Sequence, residues 1–161
     1  MIRELRRARI PGVRDVDEGD LPVLFEHQRD PVATAMAAFP SRDREAFMTH
    51  WKTRILAEPT AIKKAIVVDG QLAGFVSSYQ AGDKRLVGYW VGREFWGKGT
   101  ATAALREFLR HDTARPMFAF VATANVASIR VLEKCGFRVT EYEGKPSSDD
   151  GVEEILMKLP A

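Results

Sequence analysis

The sequence predicts an α/β (α+β) fold, a central mixed sheet with helices on both faces. Three observations carry this. Asp69-Gly70 sits between two β-rich runs, a strong hairpin signal. Residues Ala101, Ala104, Leu105, Phe108 and Leu109 follow the i, i+3, i+4, i+7, i+8 spacing of one helix face. "MFAFVA" (117–122) is a short continuous apolar run suited to a buried strand.

Along the chain, "MIRELRRARIPG" ends in Pro11-Gly12 and reads as a basic lead-in, residues 1–12. "VRDV" (13–16) is a short strand. "DEGDLPVLFEHQRD" (17–30) is a first helix with Leu24 and Phe25 facing inward. "PVATAMAAFP" (31–40) starts and ends on proline and reads as a loop or a broken helix. From Ser41 a second helix is expected, because Phe47, Trp51 and Ile55 recur every four residues. The hairpin follows, then "KRLVGYWV" (84–91) as a strand and 100–110 as a helix. After the run 117–122, "NVASIRVLEKCGF" is a helix with Asn125 as N-cap, Gly136 just past its end and Phe137 folding back. "RVTEYE" (138–143) and "VEEILMKL" (152–159) are two final strands joined by the polar turn "GKPSSDDG".

Length suits one domain over 1–161. With 45% hydrophobic and 29% charged residues the composition is that of a globular protein. A formal charge of +2 is near balance, so the whole molecule is no strong polyanion binder. The crowding of Arg3, Arg6, Arg7, Arg9 and Arg14 reads as a solvated leader rather than a nucleic-acid arm, since no aromatic residue interleaves it. No apolar run approaches the roughly 20 residues of a membrane span, and arginines interrupt any secretory core segment. Cys135 is the only cysteine, which fits a cytoplasmic protein. His27, His50 and His111 are far apart and lack metal-ligand spacing, so no metal is expected.

The most informative stretch is "YWVGREFWGKGTATAALREFLRH" (89–111). Gly97 and Gly99 can serve as a tight turn alone. The spacing from Gly92 to Thr100 also fits an ATP phosphate loop of nucleoside monophosphate kinases. Against that, Arg93, Glu94, Phe95 and Trp96 are bulky or acidic where such a loop wraps its anion with free amides, and the motif follows a hairpin rather than the first strand. The third reading is a pyrophosphate cradle of another cofactor. A helix start carries unpaired N–H groups and a partial positive charge, and the small residues Thr100, Ala101 and Thr102 let an anion approach them.

These residues resemble the GNAT superfamily of acyl-CoA N-acyltransferases, in its RimJ/RimL-like branch. The resemblance covers roughly residues 13 to 158. Its pyrophosphate motif reads Trp96-Gly97-Lys98-Gly99-Thr100-Ala101 here. Its second motif is Asn125, Ser128, Lys134, Gly136 and Phe137, about 25 residues further on. The resemblance implies a mostly antiparallel GNAT-like sheet of about seven strands, and direct transfer of an acetyl group from acetyl-CoA to a primary amine. The acceptor would be a protein N-terminal α-amine or a small-molecule amine. Trp90, Val91, Trp96, Gly97, Lys98, Gly99, Thr100, Ala101, Thr102, Asn125 and Ser128 would hold the cosubstrate, with the Val91 amide as oxyanion donor. Relatives often form homodimers, and this sequence leaves that open.

Two catalytic positions depart from the common family pattern. Leu86 stands where many members carry a glutamate, and Leu132 where many carry a tyrosine acid. By resemblance Ser128 becomes the candidate for protonating the departing sulfur, with local backbone satisfaction as its rival reading. Glu141 becomes the candidate base, with a surface carboxylate on an alternating strand as its rival. The departures also keep open a non-catalytic acetyl-CoA-binding module. Cys135 reads as a small buried group rather than a nucleophile. Trp51 reads as core packing, and Trp90 and Trp96 read equally as core or cleft.

Overall fold

The computed structural model describes residues 11–38, 41–140 and 153–161. The lead-in arginines before Pro11, the turn 144–151 and the candidate base Glu141 lie outside them. The first strand, β1 (Gly12–Asp15), runs into a turn built by acidic side chains. Asp17 accepts from the Gly19 amide at 2.6 Å, and Asp20 accepts back from the Asp17 amide at 2.9 Å. Arg14 forks the buried Asp20 carboxylate with two bonds of 2.8 Å. Arg14 therefore belongs to this lock and not to a free basic leader. The lock delivers the chain into α1 (Leu21–Gln28).

The segment expected as a loop or broken helix forms a helix, α2 (Pro31–Ala37). Asp30 caps it by accepting from the Val32 amide at 3.0 Å. Pro31 takes the first helical position, where its missing N–H has no bond to lose. The next helix, α3 (Arg44–His50), begins later than Ser41 because Asp43 supplies the cap, accepting from the Ala46 amide at 2.7 Å. It loosens into a π turn over Trp51–Ile55. Trp51 stays buried and meets Phe75 edge-on, ring centroids 4.8 Å apart, which bears out its packing role.

Strands β2 (Ile62–Val68) and β3 (Gln71–Ala81) form the expected hairpin. Asp69 and Gly70 take φ of 51° and 76°, both positive, as the favoured two-residue turn requires. Next come β4 (Lys84–Val91), α4 (Thr100–His111), β5 (Met117–Ala122), α5 (Val126–Lys134), β6 (Arg138–Val139) and β7 (Glu154–Leu159). The strands lie in the order β1-β2-β3-β4-β5-β7-β6, antiparallel throughout except for β4 beside β5.

The sheet has helices on both faces, because its two faces feed two cores. Val76, Val87 and Met117 pack with Leu105 and Phe108 of α4 and Leu132 of α5. Phe75, next to Val76 and so on the opposite face, joins Leu21, Leu24, Phe25, Phe47 and Trp51 from α1 and α3. Among the described residues no helix is long and apolar enough to cross a membrane.

One junction in this sheet positions everything that follows. β4 and β5 pair only at Arg85 with Met117 and Leu86 with Phe118, and then diverge. A buried polar cluster closes the paired end. Asp112, just past α4, accepts from the Ser78 hydroxyl at 2.5 Å and from Arg85 Nε at 2.8 Å. Arg85 also donates to the Thr60 carbonyl at 2.8 Å. Burial pushes the Asp112 carboxyl up, but hydrogen bonds from Ser78, Arg85 and the Ala114 amide outweigh it and hold the group below its ordinary value.

Candidate active site

Beyond Leu86, the β5 side of β4 has no strand partner among the described residues. The Gly92 amide donates to the Ala73 carbonyl at 2.8 Å. Backbone groups alternate sides along an antiparallel ladder, so the N–H and C=O of Tyr89 and Val91 point away from β3 and into the gap. The Val91 carbonyl is taken up by Trp96, whose Nε1 donates to it at 2.8 Å. The Val91 amide is left facing the gap. An N–H so placed can donate to an anionic oxygen that enters the gap.

The loop after β4 makes a 3-10 turn at Arg93–Phe95, with Phe95 buried, before the two glycines. Those glycines, Gly97 and Gly99, both sit at φ 75°. A Cβ added at either would meet nothing within 4 Å. Glycine is needed here for its left-handed backbone and not because the site is crowded. Gly99 is the N-cap of α4, and no side chain caps this helix. The first bond of the helix runs from the Ala103 amide to the Gly99 carbonyl, so the amides of Thr100, Ala101 and Thr102 have no helical acceptor. Uncapped amides behind open space are what an incoming anion requires.

A cavity of about 600 Å³ fills the divergence. Tyr89, Trp90 and Val91 line it from β4, and Trp96, Gly97, Gly99, Thr100, Ala101 and Thr102 from the loop and the α4 start. Asn125, Ser128, Arg130 and Lys134 line it from the α5 side. Ala33, Met36 and Ala37 of α2 form the wall on the other face of the sheet. The cavity therefore crosses the sheet at its split.

Ten of the eleven residues expected at the cosubstrate line this cavity. Lys98 does not; it is exposed, while Gly97 and Gly99 on either side of it line the cavity. Asn125 is the N-cap of α5, accepting from the Ser128 amide at 3.2 Å. The cap engages the Ser128 amide and leaves its hydroxyl free for other work. That hydroxyl lies 2.5 Å from the Tyr89 phenol oxygen. Leu132 is buried in the core and does not reach the cavity. Leu86 is half-buried where β4 is still paired.

Cys135 is half-buried, its Sγ 3.6 Å from the Thr102 carbonyl, and burial pushes its thiol up. That fits a packed thiol rather than a nucleophile. His27 packs edge-on to Phe95, and its Nδ1 is buried without a hydrogen-bond partner among the described residues. Burial lowers its pKa, against a weaker opposing pull from Glu94.

Reading the sequence singled out Trp90 and Val91 but passed over Tyr89 between them and Gly88. The available signal was strand alternation, which puts Val87, Tyr89 and Val91 on the α4–α5 face. The α2 wall was missed because its segment was expected as a loop or broken helix. Lys134 was seen as a motif residue, and Arg130 one turn before it was not; the two line the same side of the cavity.

Comparison with known proteins adds three findings. A family model described as "Acetyltransferase (GNAT) domain" matches residues 12–138. The putative ribosomal N-acetyltransferase YdaF of Bacillus subtilis (strain 168) is 32% identical over 101 residues, a match covering 58% of this chain and 55% of that protein. The chain thus spans about half the length of that curated relative. Among solved structures, RimL, the ribosomal L7/L12 α-N-protein acetyltransferase with coenzyme A, superposes with a TM-score of 0.77 at 19% identity, covering 92% of each chain. Spermidine N-acetyltransferase of Vibrio cholerae, with CoA and spermine, gives 0.75 at 14% identity, covering 92% of this chain and 93% of that one. At these identities the structural matches speak for the fold.

Proposed function

Because the chain belongs to the GNAT acetyltransferase domain family, we propose that it transfers the acetyl group of acetyl-CoA directly to a primary amine. The observation that carries this reading is the split sheet. The inward-facing Val91 amide stands at one end of a continuous cavity and the uncapped amides of α4 at another. The whole chain acts as one catalytic domain in this reading, with 1–12 as a lead-in.

Acetyl-CoA supplies an activated thioester. The amides of Thr100, Ala101 and Thr102 bind its pyrophosphate, and the helix start adds favourable partial charge. The free N–H and C=O of Tyr89 and Val91 offer an extended chain the hydrogen bonds of a missing strand. When the amine attacks, the thioester oxygen gains negative charge, and the Val91 amide is preorganised to stabilise it. Ser128, which lines the same cavity, is the candidate donor to the departing sulfur. The amine must lose a proton, and Glu141 is the candidate base. Arg130 and Lys134 add positive charge to the side of the cavity that receives the phosphates.

For the acceptor, a protein N-terminal α-amine or a small-molecule amine are the two classes. The names of the relatives, which include ribosomal-protein and spermidine acetyltransferases, support an amine of either kind. The protein works in the cytoplasm in this reading, in line with its single cysteine; a homodimer fits as well. Calorimetry with acetyl-CoA and with ATP, followed by a screen of amines and peptides for CoA release, tests the reading. Micromolar ATP binding without acetyl-CoA binding overturns it. Acetyl-CoA binding with no acceptor among amines and peptides would indicate a binding module.

A further inference from the structure

We infer that Tyr89 acts with Ser128 as a two-residue hydrogen-bond relay for the departing sulfur, an inference that rests on the acetyl-transfer reading above. Tyr89 is held on β4 and Ser128 on the first turn of α5, on opposite sides of the divergence. Their hydroxyl oxygens are 2.5 Å apart, and both residues line the cavity. The Ser128 amide is already engaged by Asn125. Its hydroxyl is therefore not needed to complete the cap, and its only described side-chain contact is Tyr89.

The direction of the relay follows from acidity. A phenol is a stronger acid than an aliphatic alcohol, so Tyr89 is the better donor and Ser128 Oγ the acceptor. With Ser128 Oγ accepting from Tyr89, its own O–H remains to be directed into the cavity. A donor that itself accepts a hydrogen bond is polarised and donates more strongly. The same phenol proton has a second acceptor within reach, the Ser128 carbonyl at 3.3 Å; the contact to Oγ is the shorter of the two, and the relay assigns the proton there.

Burial pushes Tyr89 up to about 12, against a partial opposing effect from the Ser128 hydrogen bond, so the phenol keeps its proton throughout the working range. A simple thiol ionises near about 8.5. Tyr89 is thus too weak an acid to hand its proton to the thiolate outright. The relay works by donation. As the tetrahedral adduct collapses, the C–S bond breaks and its electron pair stays on sulfur. Ser128 O–H donates to that developing charge and Tyr89 O–H donates to Ser128 Oγ. The thiolate takes its proton from water as CoA leaves, and both side chains end as they began. This arrangement supplies from β4 what the buried Leu132 cannot supply from α5.

The test is a double-mutant cycle with Tyr89→Phe, Ser128→Ala and the pair, read as kcat with saturating amine and as acetyl-CoA Kd by calorimetry. The relay predicts that Tyr89→Phe lowers kcat about 10- to 100-fold with Kd changed less than about threefold. It also predicts that the double variant is no slower than Ser128→Ala alone, because the residues act as one unit. Multiplying losses, or a Tyr89→Phe loss seen equally in kcat and Kd, would overturn it. Should Tyr89→Phe fail to fold, 3-fluorotyrosine at position 89 keeps the ring and changes its acidity. The relay then requires a change in kcat that disappears in the Ser128→Ala background; no change, or the same change in both backgrounds, overturns it. An active wild type with an unaffected Tyr89→Phe variant sinks the relay alone. A wild type that binds acetyl-CoA but acetylates no amine sinks the reading beneath it.

Discussion

Trp96 folds back over the strand it follows, and its indole Nε1 donates to the Val91 carbonyl at 2.8 Å. The two groups of one residue are thereby divided: the carbonyl is satisfied by the protein, and the amide is left facing the gap. Trp96→Phe would leave that carbonyl unpaired while keeping an aromatic ring. We expect a loss of about 1–3 kcal/mol in stability, with a larger fractional fall in kcat than in acetyl-CoA affinity. Thermal melts and steady-state kinetics on the same preparation check this. A fall in affinity alone would mean that Trp96 serves the cosubstrate directly.

The two glycines and the lysine between them make opposite predictions. Gly99→Val forces a β-branched residue into left-handed backbone, costing about 1–2 kcal/mol, and puts its side chain into the space before the α4 amides. Acetyl-CoA affinity should fall at least about tenfold, the scale of one charge-assisted hydrogen bond or more. Lys98→Ala removes an exposed cation outside the cavity and should change affinity by less than about threefold. Unchanged affinity in a folded Gly99→Val protein would remove the cradle from this account.

Asp112 gives a stability prediction with a definite pH sign. Its folded pKa lies below the ordinary carboxylate value. Its contribution is therefore present above the unfolded pKa and is lost as pH falls through the lower folded one. Asp112→Asn should cost about 3 kcal/mol at neutral pH, because it leaves Arg85 without its charge partner. Between neutrality and pH 3 the melting temperature of the variant should fall less steeply than that of the wild type. Parallel melting curves across that range would contradict the assignment.

Glu141→Gln tests the proposed base. If Glu141 accepts the proton, the acidic-side inflection of the pH–rate profile should vanish in the variant. An inflection that survives assigns it to another group or to the amine acceptor itself.

What could be read from the sequence was local, and what could not was distant. Asp69-Gly70, the loop Gly97–Gly99 leading into α4, and Asn125 capping α5 all declare themselves within a few residues, because turns and caps are settled by neighbours. The α2 segment was ambiguous for a physical reason: proline ends a helix from inside but starts one at its first turn, and only the Asp30 cap distinguishes the cases. Tyr89 and Ser128 are 39 positions apart, and Ser78 and Asp112 are 34 apart. Neither pair has a spacing signature, since each exists only once the strands have been laid side by side.

The cavity that passes through the sheet also sets an order of events. In the proposed reading, acetyl donor and amine need not share a doorway, because α4 and α5 line one part of the cavity and α2 another. Both can be resident together, and no nucleophile of the chain has to store the acetyl group between visits. For the proposed transfer the expected kinetic consequence is a ternary complex, with double-reciprocal plots that intersect rather than run parallel. Bisubstrate compounds joining the two reactants through the gap should bind more tightly than either half, because the linker spares one of them its separate loss of translational freedom.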